Sequence, residues 1–307
     1  MTRATPVPRR RLLRAGAALT VAAAAATAAS AASTAPAWSA PDDAALRPEL
    51  SALEKRYGAR LGVYAHNPRT GATVAYRADE PFAMCSTFKA IAAAAVLRDH
   101  GGRAALSEMI HFPPADILSN SEQSKAHVET GMALGDVCAA AIQYSDNTAG
   151  NLMLRRIGGP AGLTRFFRSL GDRVSRLDRW ETDLNSAVPG DVRDTTTPRA
   201  LGRSFELLTL GRALADADRE QLVGWLRGNT TSAKRFGAGL PPGWLLADKT
   251  GTGSYATAND LGVAWTSKGT PLLLSVLSTK PTPDAPVDDA LIEETARLLA
   301  GSLAPGG

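Results

Sequence analysis

The stretch Ser86-Thr87-Phe88-Lys89-Ala90-Ile91-Ala92-Ala93-Ala94-Ala95-Val96-Leu97 opens with a hydroxyl and an amine three residues apart and continues into an alanine-rich run. Alanine heads the helix propensity scale, so Ala90 to Leu97 predicts a helix. Residues three apart share a helix face, which sets Ser86 and Lys89 side by side at its N-terminus. Free backbone N–H groups and the helix dipole there favour a developing negative charge, as a serine nucleophile requires. A Ser-x-x-Lys tetrapeptide occurs by chance roughly once in a chain of this length. Its meaning therefore depends on partners elsewhere.

On the N-terminal side, Asp42 to Tyr57 has apolar residues at helical spacing (Leu46, Leu50, Leu53) and ends near Gly58. Leu61 to His66 and Ala72 to Tyr76 alternate as strands around Asn67-Pro68-Arg69-Thr70-Gly71, a hairpin with turn residues between its arms. From Ser86 to Leu210 helical text dominates and no strand pair is read. Val137 to Gln143, Asn151 to Ile157 and Ala161 to Leu170 read as helices, the second stopped by Gly158-Gly159-Pro160 and the third by Gly171. Thr197-Pro198 joins a cap residue to a proline at the first helical position and opens a helix toward Leu210. Glu220 to Arg227 is a further short helix.

Strand text returns at Trp244 to Gly251, Asp260 to Thr266 and Leu272 to Leu277, and Ala290 to Leu299 closes the chain as a helix. This order predicts one sheet assembled from both chain ends, with a helical domain inserted between them and a cleft at the junction. The expected boundaries are residues 41–83 and 227–307 for the α/β part and 84–226 for the helical part.

The 307 residues carry a formal net charge of +4, which invites a nucleic-acid reading. Arg3, Arg9, Arg10, Arg11 and Arg14 all precede the first acidic residue, Asp42, and setting those five aside turns +4 into −1. No basic patch for a phosphate backbone remains. Those arginines, followed by an alanine-dominated run to Ala32, read as an export signal over residues 1–40 rather than a membrane anchor, since alanine and threonine make a weak span. The paired arginines point to the twin-arginine route, with small-residue cleavage sites at Ala35-Pro36-Ala37 and Trp38-Ser39-Ala40. The mature chain is expected to be secreted, or periplasmic where an outer membrane exists, without a membrane anchor, and monomeric.

The two cysteines, Cys85 and Cys138, allow one disulfide at most. Cys85 beside Ser86 reads as a small buried hydrophobe rather than a second nucleophile. His66, His100, His111 and His127 show neither His-x-His nor His-Glu-x-x-His spacing, so neither a metal site nor a cofactor is expected, and all four read as structural or surface residues.

Three further signals follow Ser86 in order: Ser145-Asp146-Asn147, Arg179-Trp180-Glu181-Thr182-Asp183-Leu184-Asn185, and Lys249-Thr250-Gly251. Ser-x-x-Lys, Ser-Asp-Asn and Lys-Thr-Gly form the signature of penicillin-interacting serine enzymes, and with Glu-x-x-Leu-Asn added the chain from about Asp42 to Leu299 resembles a class A β-lactamase. The resemblance implies an α/β (α+β) fold of two domains, a five-stranded antiparallel sheet flanked by helices plus an inserted all-helical domain. It also implies a hydrolase that opens the ring of penicillin- and cephalosporin-type β-lactams through an acyl-enzyme on Ser86.

The residues bear this chemistry individually. An unactivated serine hydroxyl needs a base, which Lys89 supplies if desolvated and Glu181 supplies through a water. Both remain open as the base for acylation. Glu181 and Asn185, four apart, can hold a water between them for deacylation.

By resemblance, Ser145 would pass a proton to the leaving nitrogen and Asn147 would contact the substrate side chain. Lys249 would face Ser145, while Thr250, Gly251 and Thr252 would bind the substrate carboxylate with Arg235 complementing it. Backbone N–H groups of Ser86 and Thr252 would form an oxyanion hole. Arg179 and Asp194 would close the loop 179–194 with an ion pair, and the Glu181–Thr182 peptide bond would be cis. Gly253 stands where carbapenem-hydrolysing members place a partner for Cys85, and Ala93 where others place one for Cys138, so both thiols are expected reduced. Asn120 stands where many relatives place an aromatic at the cleft mouth.

Two other readings share parts of this pattern. A cell-wall D,D-peptidase would lack Glu181 and Asn185 in this arrangement, and a penicillin-sensing domain would be expected on a membrane-spanning chain.

Overall fold

Leu272-Leu273-Leu274-Ser275-Val276-Leu277 shows almost no polar alternation because the strand that holds it, Pro271–Thr279, is covered on both faces. In the computed structural model, which describes residues 43–100 and 103–307, this strand is the middle of a five-stranded sheet. The export segment predicted over residues 1–40 lies outside the described residues.

In chain order the structure runs α1 (Asp43–Tyr57), β1 (Arg60–His66), β2 (Thr73–Tyr76), β3 (Phe82–Ala83) and, after a 3₁₀ turn at Cys85–Thr87, α2 (Phe88–His100). Then come α3 (Arg103–Leu106), β4 (Met109–Ile110), α4 (Glu122–Ala126), β5 (Met132–Ala133), α5 (Leu134–Gln143), α6 (Asn147–Arg156) and α7 (Gly159–Ser169). After a long connection follow β6 (Thr195–Thr196), α8 (Pro198–Thr209), α9 (Asp216–Arg227) and α10 (Phe236–Gly239). The chain closes with β7 (Leu245–Gly253), β8 (Thr257–Trp265), β9 (Pro271–Thr279) and α11 (Asp289–Leu303).

The sheet order is β2-β1-β9-β8-β7 with every neighbour antiparallel, so the two ends of the chain meet at the β1–β9 pair, where Val63 lies opposite Val276. Side chains alternate across a strand. Leu61, Val63, Ala65, Leu272, Leu274 and Val276 pack on one face with Leu50 and Leu53 of α1 and Ile292 and Leu299 of α11. Tyr64, Leu261, Val263, Leu273 and Leu277 face the other way, into the core built with α2, α5, α6 and α8. A fully buried leucine contributes about 1.5–3 kcal/mol, so both layers matter.

Helix α2 runs through that second core. Every residue from Ala90 to Leu97 is essentially inaccessible, as expected of a helix that is apolar all round. Its small side chains let neighbouring helices approach closely. The sheet and the inserted helices agree with the fold read from the sequence.

The structure adds what short elements conceal. The segment read as free of strand pairs contains β4 paired with β5, and β6 pairs back to β3. Strands of two residues carry no periodicity to read. Helix α6 begins at Asn147 rather than Asn151 because Asp146 caps it, accepting from Ala149 N at 2.8 Å. Pro160 sits in the first turn of α7 instead of ending the preceding helix, a position where its missing N–H costs nothing.

Thr197 caps α8 as read, its hydroxyl accepting from Ala200 N at 3.2 Å, with Pro198 next. Thr197→Ala is expected to lower stability by about 1 kcal/mol. Urea unfolding should show the midpoint falling with an unchanged slope.

Candidate active site

Ser86 and Lys89 lie on either side of the junction of the 3₁₀ turn and α2 and both approach Glu181 Oε1. Ser86 lies in the turn, just before the helix, and Lys89 in the first turn of α2, both buried. Cys85 precedes them at φ 47°, buried, with its thiol driven well above the ordinary range by burial. That is the behaviour of a packed side chain rather than of a nucleophile. Cys138 is likewise buried and unpaired.

Lys89 Nζ donates to Ser145 O at 2.8 Å, to Asn147 Oδ1 at 2.7 Å and lies 3.0 Å from Glu181 Oε1. Three acceptors match the three N–H bonds of an ammonium group. Ser86 Oγ lies 3.4 Å from the same Glu181 Oε1. Glu181 Oε2 accepts from Asn185 Nδ2 at 2.5 Å. Glu181 and Asn185 therefore touch directly, where the sequence reading had only a water between them. Asn185 Oδ1 is a buried acceptor with no protein partner.

Glu181 is held by its backbone as well. Asn151, one turn along α6 from Asn147, donates to Glu181 O at 3.1 Å and accepts from Glu181 N at 2.9 Å. The Glu181–Thr182 peptide bond is cis, as the resemblance implied.

The loop closes as predicted. Arg179 Nε donates to Asp194 Oδ2 at 2.6 Å, and Asp194 Oδ1 accepts from the backbone of Asp178 at 2.7 Å and of Arg179 at 2.9 Å. Asp194 O also accepts from Met84 N at 2.9 Å, which ties the loop end to the turn carrying Ser86.

Ser145 and Lys249 meet across the cleft, Lys249 Nζ donating to Ser145 Oγ at 3.1 Å and to Thr250 O at 2.8 Å. Between Ser145 and Asn147, Asp146 turns away, accepting from Ser124 Oγ and Ser124 N. The triplet is thus a helix cap and a cleft wall at once. Burial, with the Lys89 charge adding to it, pulls the Lys249 ammonium down to about 7.

Strand β7 lies hard against the Ser86 turn. A Cβ on Gly251 would stand 2.9 Å from Met84 O, and one on Gly253 would stand 2.7 Å from both Cys85 Sγ and Asn185 O. Glycine at these positions lets the backbones approach.

Arg235 is buried and not a surface residue. Its Nη2 donates to Thr252 Oγ1 at 2.8 Å, Nη1 to Gly251 O and Asn259 O, and Nε to Asp289 Oδ1 at 2.7 Å. Thr250 Oγ1 shares a 2.5 Å hydrogen bond with Thr231 Oγ1.

Several of these partners escaped the sequence reading: Asn151, Thr231, Asn259 and Asp289. Asn151 alone left a signal, its four-residue spacing from Asn147 on one helix face. Also missed was the buried pair Asp248 and Asp260, both pushed above the ordinary carboxylate range, first by burial. Asn229 Nδ2 donates to Asp248 and Phe236 N to Asp260.

Of the histidines, His66 is buried against Glu206, and among the described residues no His/Cys/Asp/Glu group is arranged to hold a metal ion. No helix among them is long and apolar enough to cross a membrane.

A sheet built from both chain ends gathers a serine, two lysines and a carboxylate beside the inserted helices. A sequence model described as the Beta-lactamase enzyme family matches residues 45–303, and this chain belongs to that family. It is 49% identical over 314 residues to a β-lactamase of Streptomyces fradiae, covering 99% of each chain. It is also 49% identical over 256 residues to the β-lactamase FAR-1 of Nocardia farcinica, covering 83% of this chain and 82% of that one. Among solved structures, the β-lactamase of Streptomyces albus G superposes with a TM-score of 0.82 at 50% identity, over 84% of this chain and 98% of the other.

Two expectations follow from the site. Asp194→Ala leaves Arg179 and two backbone N–H groups without their acceptor, and should destabilise the loop by about 3 kcal/mol. Hydrogen exchange should show residues 179–194 losing protection well before the sheet does.

The second concerns pH. Folded Lys249 releases its proton near 7 and the unfolded chain near the ordinary 10.5. Between these values the unfolded state binds the extra proton, so this group makes stability rise with pH across that window. The unfolding free energy of wild type minus that of Lys249→Met should climb from pH 7 to 10; a flat difference would contradict the assignment.

Proposed function

We propose that this enzyme is a class A serine β-lactamase that forms and then hydrolyses an acyl-enzyme on Ser86. The observation that carries the reading is the convergence on Glu181 Oε1, which stands 3.4 Å from Ser86 Oγ and 3.0 Å from Lys89 Nζ.

In acylation the Ser86 oxygen bonds to the lactam carbonyl carbon, and its proton passes to Glu181, directly or through a water. Lys89, whose three N–H bonds each meet an acceptor, acts as the cation that steadies both groups. The lactam C–N bond breaks as Ser145 donates its proton to the departing nitrogen. Ser145 recovers a proton from Lys249, and the proton that Glu181 took returns to Lys249 through solvent, so that Glu181 is a carboxylate again before deacylation.

In deacylation Glu181 takes a proton from water and the oxygen attacks the ester carbon. The C–O bond to Ser86 breaks, and the serine regains its proton. Asn185 suits the water-holding part: its amide fixes Glu181 Oε2 and its carbonyl oxygen is a buried acceptor still open to a donor.

Lys249, Thr250 and Thr252 with the Gly251 backbone receive the substrate carboxylate, and Asn147 contacts the acyl side chain. Arg235 acts there mainly by holding Thr252, because four of its five N–H bonds are engaged. Backbone N–H groups of Ser86 and Thr252 stabilise the oxyanion, each such donor contributing about 3 kcal/mol. Residues 1–40 direct export by the twin-arginine route, and the mature chain, divided at about residues 84 and 226 into sheet and helical parts, acts as a secreted monomer.

Purified mature protein mixed with excess penicillin should open far more than one equivalent of ring. A stoichiometric burst with a persistent mass adduct would instead indicate a sensor or a peptidase. Glu181→Ala should accumulate the adduct on Ser86, read by intact mass; turnover at the wild-type rate would remove Glu181 from deacylation.

A further inference from the structure

One residue, Ser145, touches both ammonium groups of the site: its carbonyl oxygen accepts from Lys89 at 2.8 Å and its hydroxyl from Lys249 at 3.1 Å. Its backbone has φ 57°, a region that costs an L residue about 1–2 kcal/mol, so local preference does not hold it there. Something outside the residue must.

Asn120 Nδ2 donates to the same Ser145 carbonyl at 3.0 Å. A carbonyl oxygen has two lone pairs, and here Lys89 and Asn120 use both. Asn120 itself has φ 52°, which asparagine tolerates better than most residues. Its own carbonyl accepts from Asn147 N at 3.1 Å, and Ser119 O accepts from Asn147 Nδ2 at 2.8 Å. Asn147 Oδ1 is the third acceptor around Lys89. The exposed strip Ser119-Asn120 thus bonds to both residues that, with Glu181, seat the Lys89 ammonium.

We propose that Asn120 is a positioning residue for the acyl-transfer reaction: its carboxamide fixes the Ser145 carbonyl, which seats Lys89 and aims the Ser145 hydroxyl at Lys249. Its amide faces the protein backbone, so discrimination among substrate acyl side chains does not run through it. The inference rests on the Ser86 reading above.

Two variants separate the donor from the backbone. Asn120→Gly keeps the positive φ without strain and removes the amide. Asn120→Asp keeps the shape and turns an acceptor toward the Ser145 carbonyl. Steady-state kinetics with three β-lactams of different acyl side chains should show kcat about tenfold lower for Asn120→Gly, the worth of one hydrogen bond, and lower still for Asn120→Asp. KM should stay within about twofold of wild type for every substrate, and thermal midpoints should confirm that the fold is intact.

Unchanged kcat in both variants would overturn the proposal. So would KM changes that track the acyl side chain while kcat holds, since Asn120 would then be a substrate contact. Wild type that fails to turn over any of the three removes the Ser86 reading, and this proposal with it. Wild-type turnover with unaffected variants removes the Asn120 proposal alone.

Discussion

The site hangs on one buried ion pair. Lys89 and Glu181 face each other at 3.0 Å with both side chains fully inaccessible. Removing two charges from water costs several kcal/mol per ion, and their attraction offsets this only where further hydrogen bonds complete both groups. Here they do. Ser145 and Asn147 complete the ammonium; Asn185 and Ser86 complete the carboxylate. These residues come from three parts of the chain, so the pair can form only when the start of α2 with the turn before it, the residues leading into α6 and the 179–194 loop are all in place. Loss of either partner would leave an uncompensated buried charge, and the requirement for the pair becomes a requirement for the surrounding fold.

The loop meets that requirement through hydrogen bonds to its backbone as well as through Leu184, which is buried in the core. Asn151 holds both the N–H and the C=O of Glu181, and Asp194 gathers the amides of Asp178 and Arg179 while its own carbonyl reaches Met84. The 3₁₀ turn at Cys85–Thr87 is thereby fastened on one side to the loop and on the other to β7, where Gly251 and Gly253 allow contact too close for any larger residue. Ser86 is placed by three converging segments that share no sequence neighbourhood.

How much of this could be read in advance follows from how local each signal is. The Ser86-x-x-Lys89 pattern was legible because the alanine-rich run after it marks the start of a helix, although Ser86 itself lies in the 3₁₀ turn before α2. The strands of the sheet were legible from the apolar run of β9 and the hairpin before Gly71, and the position of Arg179 and Asp194 came through family pattern. Asp248 and Asp260 were not legible. Only the β7–β8 register, with Thr250 opposite Asp260 and Asp248 opposite Gly262, makes them diagonal neighbours on one face, and Gly262 gives Asp248 room. The same holds for Arg235 and Asp289, joined across 54 residues. The direct Glu181–Asn185 contact depends on a loop conformation that no propensity describes.

The Asp248–Asp260 pair bears on the charge of the site. Burial pushes both acids above the ordinary carboxylate range, so their charged forms are held less readily than those of two exposed carboxylates. Lys249, between Asp248 and Thr250 but on the opposite face of β7, faces Ser145 with Lys89 beyond and Arg235 close by. Its ammonium is pulled down because burial and two like charges outweigh the attraction of the two acids. Such a site holds positive charge that the protein itself does not fully answer. On the function proposed above, a substrate carboxylate would answer it, recovering electrostatic energy that burial withheld, beside the hydroxyls of Thr250 and Thr252. On that same proposed function, affinity for an anionic substrate follows from leaving the Lys249 end of the cleft under-neutralised, while at the other end Lys89 and Glu181 balance each other charge for charge.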